Sequence, residues 1–201
     1  MTYEPRRFWD ERARQQGPGY VGPGGHTGKA ALQGAAFAEA LRRLLKGCRS
    51  HDALDFGCGS GRLTAVIEEF SDHYVGVDIS PAGLAQAQAA HPHADFRLLP
   101  PSGIPLTSAS VDLLVAVTVL QHIVAVADWA FWTSELRRVL APEARVLVID
   151  AVLGVSVQDP HVRSRTIAEI EEALGCRAFH RECTSEHWIW ELVNSGSRGL
   201  I

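Results

Sequence analysis

Three observations predict a doubly wound α/β fold with a mostly parallel, seven-stranded sheet that ends in an antiparallel hairpin. From about residue 50 onward, short apolar runs alternate with amphipathic helical stretches. One of those runs, Val111 to Thr118, is continuously apolar after Asp112, which marks a strand covered by helices on both faces. The last two extended runs, near 176–183 and 187–193, are separated only by Thr184-Ser185-Glu186, a gap of hairpin size.

Taken in order, residues 4–16 form a short amphipathic helix that carries Phe8 and Trp9. Residues 17–28 hold six glycines and two prolines, a density that no regular element survives. Residues 1–28 are therefore read as an N-terminal helix and lid segment, and 29–201 as one domain. A flexible stretch ahead of the first strand can close over a ligand, with Tyr20 and His26 as its contact-making side chains. Residues 29–46 read as a helix, with Leu32, Phe37, Leu41, Leu44 and Leu45 near helical spacing and Gly47 as its stop.

The first strand falls at 52–56, a helix at 61–70, and the second strand at 73–78. Ser80-Pro81 supplies an N-cap and a first helical position for a helix reaching Ala90. The third strand spans 94–99, and the Pro/Ser-rich stretch 100–110 is a connector. After the fourth strand, 127–140 is a helix whose inner face is Trp129, Trp132, Leu136, Val139 and Leu140, with Pro142 beyond its end. The fifth strand is Arg145 to Val152, and a last helix at 163–174 is stopped by Gly175.

The chemistry is organised around Leu54-Asp55-Phe56-Gly57-Cys58-Gly59-Ser60-Gly61-Arg62. A strand ends in a carboxylate, three glycines follow at alternate positions, and a helical pattern begins. Glycine supplies the φ > 0 positions of such a turn and lets a ligand approach the backbone. The second strand ends at Asp78, an acid placed to accept hydrogen bonds from ribose hydroxyls. A dinucleotide site needs G-x-G-x-x-G, but here the third glycine comes one residue early and Arg62 stands in its place.

This segment resembles motif I of the class I S-adenosylmethionine-dependent methyltransferases, and the likeness extends over about residues 30–193. It implies a Rossmann-like class I methyltransferase fold, S-adenosylmethionine as cofactor and S-adenosylhomocysteine as product. By resemblance, Asp78 holds the ribose, Gly57, Cys58, Gly59 and Gly61 border the methionine part, and Asp55 helps hold its amino group. Ile79 walls the adenine. Leu98 and Leu99 stand where many relatives carry an adenine-binding Asp, so packing or a backbone group takes over here. Thr118-Val119-Leu120-Gln121-His122-Ile123 resembles the family's segment after strand four, with Thr118, Val119, Leu120 and His122 near the sulfonium and substrate. His122 is a candidate general base, or a brace for its loop. Asp150, at the end of strand five, and His161 are further catalytic candidates.

Composition narrows the partners. The net charge of −4 and the absence of a basic stripe argue against nucleic acid. Cys48, Cys58, Cys176 and Cys183 have neither C-x-x-C nor metal-ligand spacing, so reduced thiols, no metal and a cytoplasmic location are expected. No membrane span or signal segment is seen. The expected activity is in-line methyl transfer to an O or N acceptor on a small molecule, with a homodimer allowed. Two other readings stand beside it: a cofactor-binding partner of another enzyme that does not methylate, and an NAD(P)-dependent oxidoreductase. Glycine spacing and chain length weigh against the oxidoreductase.

Overall fold

The computed structural model describes residues 3–17, 27–151, 160–184 and 187–194. Its elements are α1 (Pro5–Gln16), α2 (Thr27–Leu44), β1 (Ser50–Phe56), α3 (Thr64–Glu68), β2 (Ser71–Asp78), α4 (Pro81–Ala90), β3 (Asp95–Leu98), β4 (Val111–Val117), α5 (Val126–Val139), β5 (Leu140–Ala151), α6 (Ile167–Leu174), β6 (Cys176–Cys183) and β7 (His187–Asn194). A 3-10 turn, Leu120–His122, follows β4. The seven strands run in the order β3-β2-β1-β4-β5-β7-β6. β1 pairs with β2, β2 with β3 and β4 with β5 in parallel, whereas β7 is antiparallel to both β5 and β6. The expected doubly wound sheet with its closing hairpin is present. The chain divides into two compact units, residues 1–100 and 101–201.

In the first unit, β1 and β2 align Asp55 with Gly76 and Phe56 with Val77, so the two acid-bearing strand ends lie side by side. Leu54, Phe56, Val77, Ile67, Leu41 and Leu45 are buried around these strands. α3 is shorter than the expected 61–70. The turn before it continues through Gly57, Gly59 and Gly61, all left-handed at φ +78°, +57° and +77°, and helical backbone starts only at Thr64. α4 begins as expected: the Ser80 hydroxyl accepts from Gly83 N at 3.0 Å, and Pro81 fills the first helical position.

In the second unit, Leu113 to Ala116 and Val146 to Ile149 are fully buried, in agreement with the continuous apolar runs. β5 starts earlier than Arg145. Leu140 already pairs with Val111, residues 141–144 bulge out with Glu143 at φ +63°, and Arg145 then pairs with Leu113. Pro142 sits in that bulge, where a missing N–H breaks no ladder bond. α6 starts later than 163 because Thr166 and Glu169 form a capping box, the side chain of each bonding the backbone N–H of the other.

Candidate functional site

The first unit builds the glycine turn from both strand ends. Gly57 N and Cys58 N donate to Val77 O at 2.8 and 3.1 Å, which ties the turn to β2. Gly59 N donates to Asp78 Oδ2 at 2.9 Å, and Ser80 N donates to Asp78 Oδ1 at 2.8 Å. The N–H groups of Gly57, Cys58 and Gly59 are thus spent on holding the turn, and the carbonyls are what the turn can offer an ammonium group. The start of α3 is also occupied, with Thr64 N bonded to Gly61 O and Ile67 N to Leu63 O. At Gly61, a Cβ would lie 3.1 Å from Thr64 Oγ1 and 3.2 Å from the Ala87 Cβ, so this position stays glycine for space as well as for φ.

Asp78 is buried, and burial raises its carboxyl pKa against the lowering effect of the Ser80, Gly59 and Ile79 N–H groups. Each of its oxygens accepts from at least one backbone N–H and keeps lone-pair capacity for a further hydrogen bond. That arrangement fits a ribose diol, which needs a fixed pair of acceptors.

Asp55 is buried too, and its Oδ2 accepts from the Tyr74 hydroxyl at 3.0 Å. Tyr74 Oη also pairs with Thr64 Oγ1 at 2.9 Å. Burial, aided by the nearby Asp78 charge, pushes the Asp55 carboxyl up to about 7, against the Tyr74 hydrogen bond and the Arg62 charge. Burial likewise raises the Cys58 thiol well above its ordinary range, so Cys58 is a neutral wall and not a nucleophile. Gly76 makes room for this cluster. A Cβ there would lie 2.7 Å from Tyr74 Oη, 2.8 Å from the Phe96 ring and 3.0 Å from Cys58 Sγ.

At the end of β3, Leu99 is buried and Leu98 is 42% exposed. The Leu99 backbone is not free for a base: its N–H donates to Asp78 O at 2.8 Å and its carbonyl accepts from Arg6 Nη2 at 2.8 Å. What the Ile79 and Leu98 side chains can offer a base is apolar contact. α1 docks on the same region. Asp10 Oδ1 accepts from Ser80 Oγ and Ala82 N at 3.2 and 2.8 Å, at the head of α4. A cavity of about 470 Å³ opens there, lined in part by Tyr3, Arg6, Asp10 and Pro81. Tyr20 and His26, expected to belong to a lid, lie outside the described residues.

The second unit gathers its candidates on the loop after β4. Thr118 is left-handed at φ +53°, an uncommon and strained state for a β-branched residue, and its N–H donates to Ile149 O at 2.6 Å. Val119 leads into the 3-10 turn, whose first residue, Leu120, is fully buried. The His122 ring meets the His161 carbonyl through Nδ1 at 2.8 Å and stacks on the His161 ring, 5.6 Å between centroids. A carbonyl only accepts, so Nδ1 carries the proton and the Nε2 lone pair faces the Gln121 amide at 3.2 Å. Both ring nitrogens are engaged, which is the geometry of a brace.

Arg165, 5% exposed, donates to Leu120 O at 2.8 Å and to Ile123 O, and its guanidinium lies 3.6 Å from the Trp129 ring centroid. Asp150 is 3% exposed, and its Oδ1 has no hydrogen-bond partner among the described residues. Burial raises its carboxyl pKa well above the usual range, against the Arg165 charge and the Gln121 N–H. The structure therefore brings Thr118, His122, His161 and Asp150 into one unit.

Sequence reading missed Asp10, Tyr74 and Arg165. Arg165 sits in a run of alternating arginines with no periodicity to mark it, and Asp10 lies on a helix that reads as peripheral. Tyr74 carried the one available signal, a polar-ended aromatic two residues before a glycine on a buried strand.

Sheet order, turn and strand-end acids define a class I methyltransferase fold. Comparison with known proteins agrees. A family model described as a methyltransferase domain matches residues 54–148. The chain is 31% identical over 150 residues, 71% of its own length, to a probable S-adenosylmethionine-dependent methyltransferase of Mycolicibacterium smegmatis, and spans 57% of that relative. It is 30% identical over 123 residues (61% of this chain, 46% of the relative) to a malonyl-[acyl-carrier protein] O-methyltransferase of Erwinia billingiae. It is 31% identical over 102 residues (48% and 36%) to the 18S rRNA (guanine(1575)-N(7))-methyltransferase of Saccharomyces cerevisiae. The crystal structure of PH0226 protein from Pyrococcus horikoshii superposes with a TM-score of 0.70 at 16% identity, covering 91% of this chain and 98% of that one. The chain belongs to the S-adenosylmethionine-dependent methyltransferases, whose cofactor is S-adenosylmethionine. It spans little more than half the length of the Mycolicibacterium relative. Among the described residues, no helix is long and apolar enough to cross a membrane.

Proposed function

We propose that this chain transfers a methyl group from S-adenosylmethionine to an oxygen or nitrogen of a small, cytoplasmic acceptor by in-line displacement. The observation that carries this reading is the Asp78 carboxylate, clamped by Gly59 N–H and Ser80 N–H beside a three-glycine turn. When bound, the cofactor supplies an electrophilic sulfonium methyl, so positioning and water exclusion are the protein's main contribution. Asp78 accepts from the ribose, the turn carbonyls and Asp55 face the methionine ammonium, and Ile79 and Leu98 pack on the adenine.

A general base is needed only where the acceptor must lose a proton. Asp150, whose buried Oδ1 has no hydrogen-bond partner among the described residues, fits that role better than His122, whose nitrogens are both occupied. His161 gives its carbonyl to His122 and is a positioning residue. The small-molecule acceptor is supported by the lack of a basic stripe. The O- and N-methylating relatives differ in acceptor class, which keeps rRNA among the substrates to screen.

Calorimetric titration with S-adenosylmethionine and S-adenosylhomocysteine tests the pocket. Micromolar binding that weakens by about 1–3 kcal/mol in Asp78→Ala is the expected result. Failure of the folded native chain to bind either compound overturns it. Release of S-adenosylhomocysteine in a screen of hydroxyl, amine and RNA acceptors tests transfer. Binding without turnover on any of them favours the non-methylating partner protein, a reading to which the fully braced loop 118–123 lends support. NAD(P) binding in place of S-adenosylmethionine would favour an oxidoreductase.

A further inference from the structure

A cluster of side chains of metal-ligating type lies at the opposite ends of the strands that carry Asp55 and Asp78. Asp52 of β1 is in register with His73 of β2, and His51 precedes Asp52. One ligating atom from each of His51, Asp52 and His73 lies within 4.8 Å of the others, and among the described residues this is the one such trio. His51 Nδ1 is 2.6 Å from Asp52 Oδ2, and the His51 and His73 rings are 4.8 Å apart between centroids. The His51 and Asp52 side chains are 66% and 46% exposed, so an ion reaches them without opening the fold.

We infer that His51, Asp52 and His73 bind a divalent transition-metal ion, with water completing its coordination. Two imidazoles and one carboxylate are a borderline donor set that suits zinc, copper or nickel and not magnesium or calcium. Ligands on a tetrahedral zinc at about 2.0–2.1 Å sit about 3.4 Å from one another. Exposed side chains close the remaining gap by small rotations of their χ angles. The adjacent cation does not oppose the ion: Arg49 is already paired with Asp72 at 2.6 Å. Asp52 lies three residues before Asp55, and His73 five before Asp78. At about 3.3 Å per residue the ion is therefore about 10–16 Å from those acids. It clips β1 to β2 and leaves the cofactor groups alone, so this site stands independently of methyl transfer.

The test uses the untagged full chain, stripped with a chelator and titrated with zinc chloride by calorimetry, with parallel thermal melts. The expected result is one zinc per chain at micromolar affinity, with the midpoint of unfolding raised by about 5–10 °C at a hundredfold excess over the dissociation constant. His73→Ala and the near-isosteric Asp52→Asn should each weaken binding at least tenfold and cut the thermal shift at the same zinc concentration by about half or more, while S-adenosylmethionine binding and the metal-free circular dichroism stay unchanged. His91 and His93, whose rings are 6.4 Å apart, are the competing donors. Zinc binding that survives His73→Ala and Asp52→Asn but is lost in His91→Ala overturns the assignment, as does no binding at millimolar zinc.

Discussion

The two units hold their candidate groups by different means. In the first, each functional acid ends a strand and is fixed by a neighbouring strand or its own turn: Gly59 N–H and Ser80 N–H on Asp78, and the Tyr74 hydroxyl on Asp55. In the second, a loop whose one regular feature is the 3-10 turn Leu120–His122 is pinned by polar bonds to residues 39 and 45 positions away, from the His122 ring to the His161 carbonyl and from the Arg165 guanidinium to Leu120 O. A site made of strand ends inherits its geometry from sheet register. A site made of loops must obtain its geometry from individual polar bonds, and each of them is a point of failure.

The largest effect expected from this contrast is a pH effect in the first unit. Asp55 titrates near 7 in the folded chain against an ordinary value of 3.8, so between those pH values the folded state holds a proton that the unfolded chain has released. Stability attributable to Asp55 therefore falls as pH rises across that window and levels off above about 7. The slope is about 1.4 kcal/mol per pH unit, or about 4 kcal/mol in all. Urea unfolding from pH 4 to 8 should show this decline in the native chain and its loss in Asp55→Asn. Parallel curves for the two would show that Asp55 is ionised throughout.

In the second unit, Arg165→Ala leaves the buried Leu120 carbonyl and the half-buried Ile123 carbonyl without this donor and removes the stack on Trp129, at a cost of about 3 kcal/mol. Arg165→Lys keeps the charge but not the planar fork and should recover less than half of that. If both variants unfold at the native denaturant midpoint, the loop is not held by Arg165. Gly76→Val tests the crowding around Tyr74. It should cost about 2 kcal/mol and free the Tyr74 hydroxyl from Asp55, visible as a lower melting temperature together with a changed pH profile.

The smallest effect is expected at His122. As a brace it should tolerate Gln, whose amide can also donate to the His161 carbonyl, with a stability loss under about 1 kcal/mol and an unchanged pH–rate profile. A loss of about a hundredfold or more in kcat, with one limb of the profile gone, would instead make it the base.

Much of the first unit was legible in the chain itself. The glycine turn, the strand-end acids and the Ser80-Pro81 helix start are rules about residues within a few positions of one another. The burial of Leu113 to Val117 follows from an unbroken apolar run, and the final hairpin from two extended runs with a short gap. Two boundaries shifted for local reasons, since α3 waits for the third left-handed glycine and α6 for the Thr166 capping box, and one for a tertiary reason, since β5 reaches back to Leu140 because Val111 offers it a partner.

By itself, the sequence determined the alternation of strands and helices, the closing hairpin, and the carboxylates that end β1 and β2, because local periodicity and turn chemistry suffice for these. Tertiary structure decided which of those groups are free to act. The N–H groups of Gly57 and Cys58 are consumed by Val77 O, the Leu99 backbone by Asp78 O and Arg6, and both nitrogens of His122 by its own unit, whereas Asp150 Oδ1 has no hydrogen-bond partner among the described residues. A polar group's availability depends on what packing brings within about 3 Å of it, and residues far apart in the chain settle that only once the strands are in register.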